Sequence, residues 1–149
     1  MSAEQTEQAG AVHQAYVELR WSDFDRFGHM NNAQYVEIVQ ESRVQFSLDN
    51  FVSRGLPAPM FVVRHLEADY RIPIVPGRSK KVLVESTVIK VGRSSFNTRQ
   101  EIKDEKGRTA CVIHCVQVAL DQETLQPREI TSEEVEILTM RKAATAPQP

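Results

Sequence analysis

"RWSDFDRFGHMNNAQYVE", residues 20–37, stands between two different hydrophobic patterns. On its N-terminal side Val17, Leu19 and Trp21 alternate with polar residues, which is the period-two pattern of a half-buried strand. On its C-terminal side apolar residues recur at helical spacing over residues 32–48. The stretch therefore predicts a strand that passes directly into a helix, with two aspartates, a histidine and two asparagines at the junction.

The predicted helix carries apolar residues on two sides. One face holds a stripe at helical spacing: Tyr35, Ile38, Val39, Ser42 and Phe46. Ala33, Val44 and Leu48 fall on roughly the opposite side, where a helix covered on only one face is normally polar. We therefore expect a second buried contact on this helix, such as one with another subunit.

Four further segments have the composition of strands. Residues 60–72, 80–92, 95–104 and 108–121 are rich in Val, Ile, Thr and aromatic residues. Short joins that contain Gly or Pro separate them, which favours antiparallel neighbours. The order of one strand, one long helix and four strands predicts an α+β fold, with the helix against an antiparallel sheet.

The composition predicts one domain that binds neither nucleic acid nor a membrane. The 149 residues are 41% hydrophobic and 26% charged, and the formal net charge is −2. Nucleic-acid binding needs clustered, uncompensated Lys and Arg, which the chain lacks. No signal-peptide pattern opens the chain, and no segment approaches the roughly 20 apolar residues of a membrane helix. We therefore expect a cytoplasmic protein.

Both ends of the sequence lack periodicity. Residues 1–13 and 141–149 are small, polar or Pro-containing, so we expect disordered tails around a single domain at residues 14–140. Cys111 and Cys115 lie four apart in a predicted strand, which places them too far apart for a disulfide. We expect both to be reduced core thiols, as is usual in the cytosol.

The start of the predicted helix can bind a carbonyl oxygen. The first turn of a helix leaves amides unpaired and carries the positive end of the helix dipole, so a carbonyl docked there is polarised. Asn31 or Asn32 could cap this turn. Asp23 and Asp25 point to the same side of the chain unless Gly28 bends it, and either could attack a carbonyl or activate a water.

Structural explanations compete with this chemistry. An Asp or Asn before a helix is most often a cap or part of an Asx turn, which is the better explanation for Asp23 and for one of the asparagines. Asp25 sits too far upstream of the cap for that explanation. His29 could bind a metal with Asp23 and Asp25, but the spacing matches no strong zinc pattern, so a local hydrogen bond or a place in a pocket is favoured.

The stretch VELRWSDFDRFGHMNNAQYVEIVQESR, residues 17–43, resembles the signature of hotdog-fold thioesterases of the 4-hydroxybenzoyl-CoA thioesterase family. Two later stretches, ADYRIPIVPG at residues 68–77 and VIKVGRSSF at residues 88–96, are also similar to that family. The resemblance covers about residues 16–130. It implies a hotdog fold, a five-stranded antiparallel sheet wrapped around one long central helix, in dimers with active sites at the subunit interface. Whether the dimers pair into tetramers is left open.

The resemblance also implies catalytic roles. Asp25 matches the family's catalytic aspartate, the nucleophile or general base that acts on the thioester carbonyl, and Asp23 and Gly28 support it. Other hotdog thioesterases carry the carboxylate on the helix, where Glu37 or Glu41 could take the role if Asp25 does not. Position in the motif favours Asp25.

The remaining implied site residues fall into two groups. The amides around Asn31 and Asn32 polarise the carbonyl, with Tyr35 beneath the pocket and His29 beside it. The turn formed by Arg93, Ser94 and Ser95 matches one that lies near CoA in relatives, and an arginine with two hydroxyls suits phosphate or pantetheine. A solvated hairpin turn explains those three residues equally well.

The function implied is hydrolysis of an acyl-CoA to a carboxylic acid and CoA, with no metal or organic cofactor. The alternatives are a non-catalytic acyl-CoA binding or sensing protein, which the same fold supports, a hotdog hydroxyacyl dehydratase and a metal-dependent hydrolase. Residues 29–32 differ from the bulkier residues of the enzyme that gives the family its name. The acyl group is therefore not predicted.

Overall fold

One antiparallel sheet organises the chain, of which a computed structural model describes residues 10–77 and 80–140. The strand order is β1-β3-β4-β5-β2, and every neighbouring pair is antiparallel. The strands are β1 (His13–Glu18), β2 (Phe61–Tyr70), β3 (Lys81–Val91), β4 (Ser95–Lys103) and β5 (Thr109–Ala119); the helices are α1 (Asn32–Asn50) and α2 (Ser132–Thr139). The predicted α+β hotdog fold is confirmed.

The long helix lies against one face of the sheet. Tyr35, Ile38 and Val39 are buried in a core with Val84 and Ile102 from the central strands. Burying side chains of this size contributes about 1.5–3 kcal/mol each, which explains why the helical stripe sets the orientation of α1. Neither helix within the described ranges is long and apolar enough to cross a membrane.

The opposite side of α1 remains uncovered in the single chain. Ala33 is exposed, and the side chains of Val44 and Leu48 are 57% and 44% exposed. β2 lies at the edge of the sheet, so one of its sides has no strand beside it among the described residues. The second contact predicted for α1 is therefore available beside an open sheet edge.

The first strand is shorter than predicted. β1 ends at Glu18, and Trp21 opens a 3-10 turn over Trp21–Asp23 with its side chain 93% exposed. The predicted burial of Trp21 is wrong. The backbone N–H of Arg20 donates to Asp23 Oδ2 at 2.7 Å, and this local hydrogen bond turns the chain away from the sheet.

The N-terminal boundary also differs from the prediction. Within the tail predicted at residues 1–13, Gly10 N–H donates to Val88 O, Ala11 N–H donates to Met140 O, and His13 opens β1 with a buried ring. Residues 10–13 are therefore part of the domain. Residues 1–9 and 141–149 of the predicted tails lie outside the described residues, as do residues 78–79 in the join before β3.

The short helix α2 was not predicted from the periodicity of the sequence. Its N-cap, Thr131, accepts a hydrogen bond from Glu134 N–H, and the Glu134 carboxylate accepts one from Thr131 N–H. The spacing of Thr131 and Glu134 is the capping-box signature and could have revealed the helix. Arg128 donates to both oxygens of Glu134 at 2.8 Å, and Leu138 packs into a second core cluster.

The two cysteines are free and buried, as the sequence predicts. Burial raises the pKa of Cys111 to about 11 and also raises the pKa of Cys115. We therefore expect neither thiol to react with Ellman's reagent in the native protein near neutral pH, because both are buried and protonated. Both thiols should react after denaturation in guanidinium. Rapid labelling of either in the native protein would contradict this placement.

Candidate active site

Asp23 anchors the loop between β1 and α1. Its side chain is 1% exposed; Oδ2 accepts the N–H of Arg20, and Oδ1 accepts Arg20 Nε–H at 3.2 Å. Its carbonyl oxygen accepts the N–H of Asn31 at 2.8 Å. All of these bonds are internal to the loop, so Asp23 fixes where α1 begins, and its supporting role in catalysis stays a prediction.

Replacing Asp23 should therefore destabilise the fold. We expect Asp23→Asn to lower the free energy of unfolding by about 1–3 kcal/mol, because its amide nitrogen cannot accept one of the two bonds that Arg20 donates. Asp69→Asn is the control, since Asp69 is an exposed carboxylate paired with Arg71 and its loss should change stability by about 0.5 kcal/mol or less. Urea unfolding measures both. A stable Asp23→Asn protein would contradict the anchoring role.

Asp25 holds a tight Asx-type turn with one carboxylate oxygen, so the expectation that no local structural role explains Asp25 is wrong. Oδ1 accepts the N–H of Phe27 at 2.8 Å and the N–H of His29 at 3.1 Å. The N–H of Asp25 donates to His29 O at 2.7 Å, and Gly28 permits the turn because its φ of +77° is rarely adopted by other residues. Among the described residues, Oδ2 has no hydrogen-bond partner. The turn therefore orients a partly exposed carboxylate and leaves one of its oxygens available.

The two aspartates do not form a pair. Asp23 is bonded to Arg20, whereas Asp25 is bonded to the amides of its own turn. The chain bends at Gly28, which is the exception that the prediction of a shared side allowed, and the two carboxylates bond to different partners. Within the described ranges, no group of three or more His, Cys, Asp and Glu side chains is arranged to hold a metal ion, and His29 is exposed.

The N-terminus of α1 presents free amides beside this turn. Asn31 is the N-cap, but its side chain makes no capping bond, so the predicted side-chain cap is absent. Its N–H is taken by Asp23 O, whereas the amides of Asn32 and Ala33 have no acceptor in the described part of the chain. A β-bridge between Phe24 and Met30 holds the Asp25 turn next to the first turn of α1.

Two tyrosines support the first turn of α1. The Tyr70 hydroxyl donates to Asn32 O at 3.0 Å, and the Tyr35 hydroxyl accepts the N–H of Ile74 at 3.2 Å. Their rings pack edge to face with centroids 5.1 Å apart. Burial raises the pKa of both hydroxyls, so both stay neutral. The predicted place of Tyr35 beneath the substrate pocket stays a prediction. Tyr70 had no predicted role, although it belongs to the quoted ADYRIPIVPG stretch.

Comparison with known families supplies the identification. Residues 19–147 of the chain match the family described as the Thioesterase-like superfamily. The chain belongs to this superfamily. The resemblance of its motifs and the prediction of a thioester hydrolase are confirmed, and no curated protein sequence matches the chain.

Solved thioesterase structures share the fold. A thioesterase from Thermus thermophilus, crystallised with coenzyme A and Zn, is 26% identical with a TM-score of 0.72; the match covers 84% of this chain and 90% of that one. The probable thioesterase YbaW from Escherichia coli is 23% identical, with a TM-score of 0.71 and coverage of 85% and 98%. A DHNA-CoA thioesterase from Staphylococcus aureus is 20% identical, with a TM-score of 0.68 and coverage of 80% and 81%.

The helix carboxylates of this thioesterase are placed differently from Asp25. Glu37 Oε2 accepts a hydrogen bond from Arg20 at 3.0 Å, in an exposed ion pair. Glu41 is exposed one turn further along α1. Neither lies in the loop that places Asp25 beside the free amides, so the geometry favours Asp25 over both alternatives.

The predicted CoA-binding turn lies at the other end of the sheet. Arg93 and Ser94 lie in the join between β3 and β4, and Ser95 is the first residue of β4. Ser94 O accepts the N–H of Ala119 at the end of β5. The Asp25 loop lies near the start of β3, where Leu19 N–H donates to Lys80 O. The length of β3 separates the two regions by on the order of 30 Å. A single chain therefore does not bring Arg93 and Asp25 together.

Proposed function

We propose that the protein is an acyl-CoA thioesterase in which Asp25 acts on a thioester carbonyl held by the first turn of α1. The observation that carries this proposal is the pairing of a carboxylate with one unpartnered oxygen and two unpartnered helix amides, those of Asn32 and Ala33, across one short loop of the described chain. The β-bridge between Phe24 and Met30 holds the carboxylate and these amides next to each other.

Thioester hydrolysis at this site uses one charged group, the Asp25 carboxylate, and one set of dipoles, the amides at the start of α1. The carbonyl oxygen accepts hydrogen bonds from the amides of Asn32 and Ala33, which stabilise the negative charge that develops on it. Asp25 Oδ2 then either takes a proton from a water whose oxygen attacks the carbonyl carbon, or attacks that carbon directly to form an anhydride that water hydrolyses. In both routes the carbon–sulfur bond breaks, and its electron pair leaves on the CoA sulfur.

A homodimer would complete the site, and a tetramer would pair two such dimers. The open side of β2 is the natural contact, because a second β2 can add to it in antiparallel orientation. Phe61, at the start of β2, pairs with Ala119, whose N–H donates to Ser94 O. Antiparallel pairing would place this end of one protomer beside the Tyr70 end of the other. The Arg93 turn of one protomer would then approach the Asp25 loop of its partner.

The Arg93 turn suits the phosphates of CoA. The Arg93 side chain is 85% exposed, and its one described ion pair, to Glu129, spans 3.8 Å, so the guanidinium can take another partner. Ser94 and Ser95 add two hydroxyls. The bound coenzyme A of the Thermus thermophilus thioesterase supports an acyl-CoA substrate here. We also place the protein in the cytoplasm, where its two free thiols would stay reduced.

Release of CoA thiol from a panel of aliphatic and aromatic acyl-CoAs tests the proposal. We expect turnover of at least one class, unchanged by a metal chelator. Binding of acyl-CoA without thiol release would instead identify a non-catalytic binding protein. Addition of water to an enoyl-CoA without thiol release would identify a dehydratase, and loss of activity with the chelator would indicate a metal-dependent hydrolase.

A further inference from the structure

An apolar groove runs along the middle of α1 beside the start of β2. Its volume is about 540 Å3, and its walls come from α1 and from the segment that leads into β2. Most of its lining is apolar, including Val44, Leu48, Pro59 and Phe61. Arg43 is the one charged residue among the described residues that line it, so the groove holds a cation with no lining carboxylate.

One nitrogen of the Arg43 guanidinium, Nη1, has a hydrogen-bond partner among the described residues. Arg43 Nη1 donates to Gln100 Oε1 at 3.0 Å, and the fully buried Gln100 is fixed in turn by bonds from its Nε2 to Ser86 Oγ and Val39 O. No carboxylate within the described ranges forms an ion pair with Arg43. Burial lowers its pKa, which means that the surroundings do not compensate the charge.

An unsatisfied hydroxyl lines the same small cavity as Arg43. Thr98 is 5% exposed, and its hydroxyl has no hydrogen-bond partner among the described residues. Thr98 and Arg43 both line a small cavity of about 20 Å3 between α1 and the sheet, and Gln117 lines this cavity and the groove. Buried polar groups without partners are uncommon, and this hydroxyl shares a cavity lining with the Arg43 cation. Both can donate to an added oxygen.

We propose that Arg43 binds a carboxylate at the far end of the substrate's acyl group, so that the preferred substrates are CoA thioesters of dicarboxylic acids. A carboxylate would neutralise the guanidinium through charge-assisted hydrogen bonds, and Thr98 could donate to it as well. The methylene chain would lie on the apolar lining of the groove. This inference rests on the proposed function, since the other end of the same acyl group is the thioester.

The layout of α1 and β2 matches such a substrate. The two elements lie side by side in opposite directions, with Tyr70 bonded to Asn32 at one end and Phe61 lining the groove with Arg43 at the other. Asn32 and Arg43 are eleven residues apart on α1, which is about 16 Å along the helix axis. A chain of medium length spans that distance. A second subunit on β2 would cover the groove from outside.

The test compares pairs of acyl-CoAs of equal chain length, with and without a terminal carboxylate, over medium lengths. We expect the wild-type kcat/KM to be about tenfold or more higher for the carboxylated member at the best length, the effect of one charge-assisted hydrogen bond. Arg43→Gln should bring the ratio of the two kcat/KM values to about one. Arg54→Gln is the matched control, because Arg54 is exposed outside the groove, and it should keep the wild-type ratio.

Two further measurements keep the inference testable if Arg43→Gln misfolds or if the protein hydrolyses no thioester. Thr98→Val removes the unpartnered hydroxyl without a loss of internal bonds and should reduce the ratio several-fold. Calorimetric titration of the Asp25→Asn protein with the same intact thioesters should give about tenfold tighter binding of the carboxylated member, even if no thioester is hydrolysed.

Three results would overturn the inference while leaving thioester hydrolysis intact. Equal kcat/KM values for the two members at every length would do so, as would a preference that Arg43→Gln leaves unchanged. Dissociation of the oligomer in Arg43→Gln without any change in acyl preference would show that the arginine pairs with a carboxylate of a second subunit. Absence of hydrolysis with an intact binding preference would instead overturn only the proposed function.

Discussion

Asp25→Asn is expected to lower kcat for acyl-CoA hydrolysis by about 10³-fold while changing KM by no more than a few-fold. The amide oxygen of the substituted side chain can still accept the N–H bonds of Phe27 and His29, so the turn should persist. What is lost is the charge on the second oxygen. A neutral amide neither attacks a carbonyl carbon nor takes a proton from water, so the loss should fall on the chemical step.

The same substitution at Asp121 is a close control. Asp121 Oδ1 accepts the N–H of Glu123 and of Thr124 at 2.9 Å, the same use of one carboxylate oxygen that Asp25 makes. Asp121→Asn should therefore change the stability of its turn about as much, and it should leave kcat unaltered. Equal activity of the wild-type and Asp25→Asn proteins would remove Asp25 from the mechanism and direct attention to Glu37 and Glu41.

Asn32→Pro should lower kcat by about 10²-fold or more, because proline removes the amide that we place on the carbonyl oxygen. The fold should tolerate it. Asn32 is the first residue of α1, where proline is accepted, and Asn31 already has the extended backbone that a residue before proline requires, with φ −61° and ψ 140°. Steady-state kinetics and the unfolding midpoint would be measured together.

Two control variants separate the amide from other effects of this change. Asn32→Ala removes the side chain but keeps the N–H, so its kcat should stay within a few-fold of wild type. Ser132→Pro places proline at the first position of α2, after Thr131 with φ −71° and ψ 158°, and should leave kcat unchanged. If Asn32→Pro and Asn32→Ala have equal activity, the amide of Asn32 does not polarise the carbonyl.

Repeating patterns explain why most of the fold was predictable. The stripe from Tyr35 to Phe46 predicts which face of α1 is buried, and the β-rich composition of four later segments predicts β2 to β5. These patterns work because burial of regularly spaced side chains dominates the placement of long elements. The resemblance of residues 17–43 to hotdog thioesterases added that the sheet wraps around the helix.

Local hydrogen bonds explain what the patterns did not predict. Trp21 continues the alternation of β1, but the bond between Arg20 N–H and Asp23 turns the chain before it. Asp25 is part of an Asx-type turn and keeps a free oxygen as well, a combination that spacing alone does not reveal. Such features depend on which donor meets which acceptor, and one sequence read for periodicity carries little information about them.

The relative positions of residues far apart in the sequence were the second feature that the sequence did not predict. The Arg93 turn and the Asp25 loop both carry motif residues, yet they lie at opposite ends of the sheet within one chain. Only the strand order, with β2 at the open edge, indicates how a second copy could bring them together. Arg43 is a similar case. It bonds to Gln100, far away in the sequence, and to no carboxylate within the described ranges, and only the packing of α1 on β4 shows this.

A crystal structure with an acyl-CoA analogue in which a ketone replaces the thioester would test the central claim most directly. We predict that the ketone oxygen lies about 3 Å from the amide nitrogens of Asn32 and Ala33. Asp25 Oδ2 should lie about 3–3.5 Å from the carbonyl carbon, or contact it through one water. A ketone bound elsewhere, with Asp25 bonded only within its own turn, would contradict the assignment of this loop as the active site.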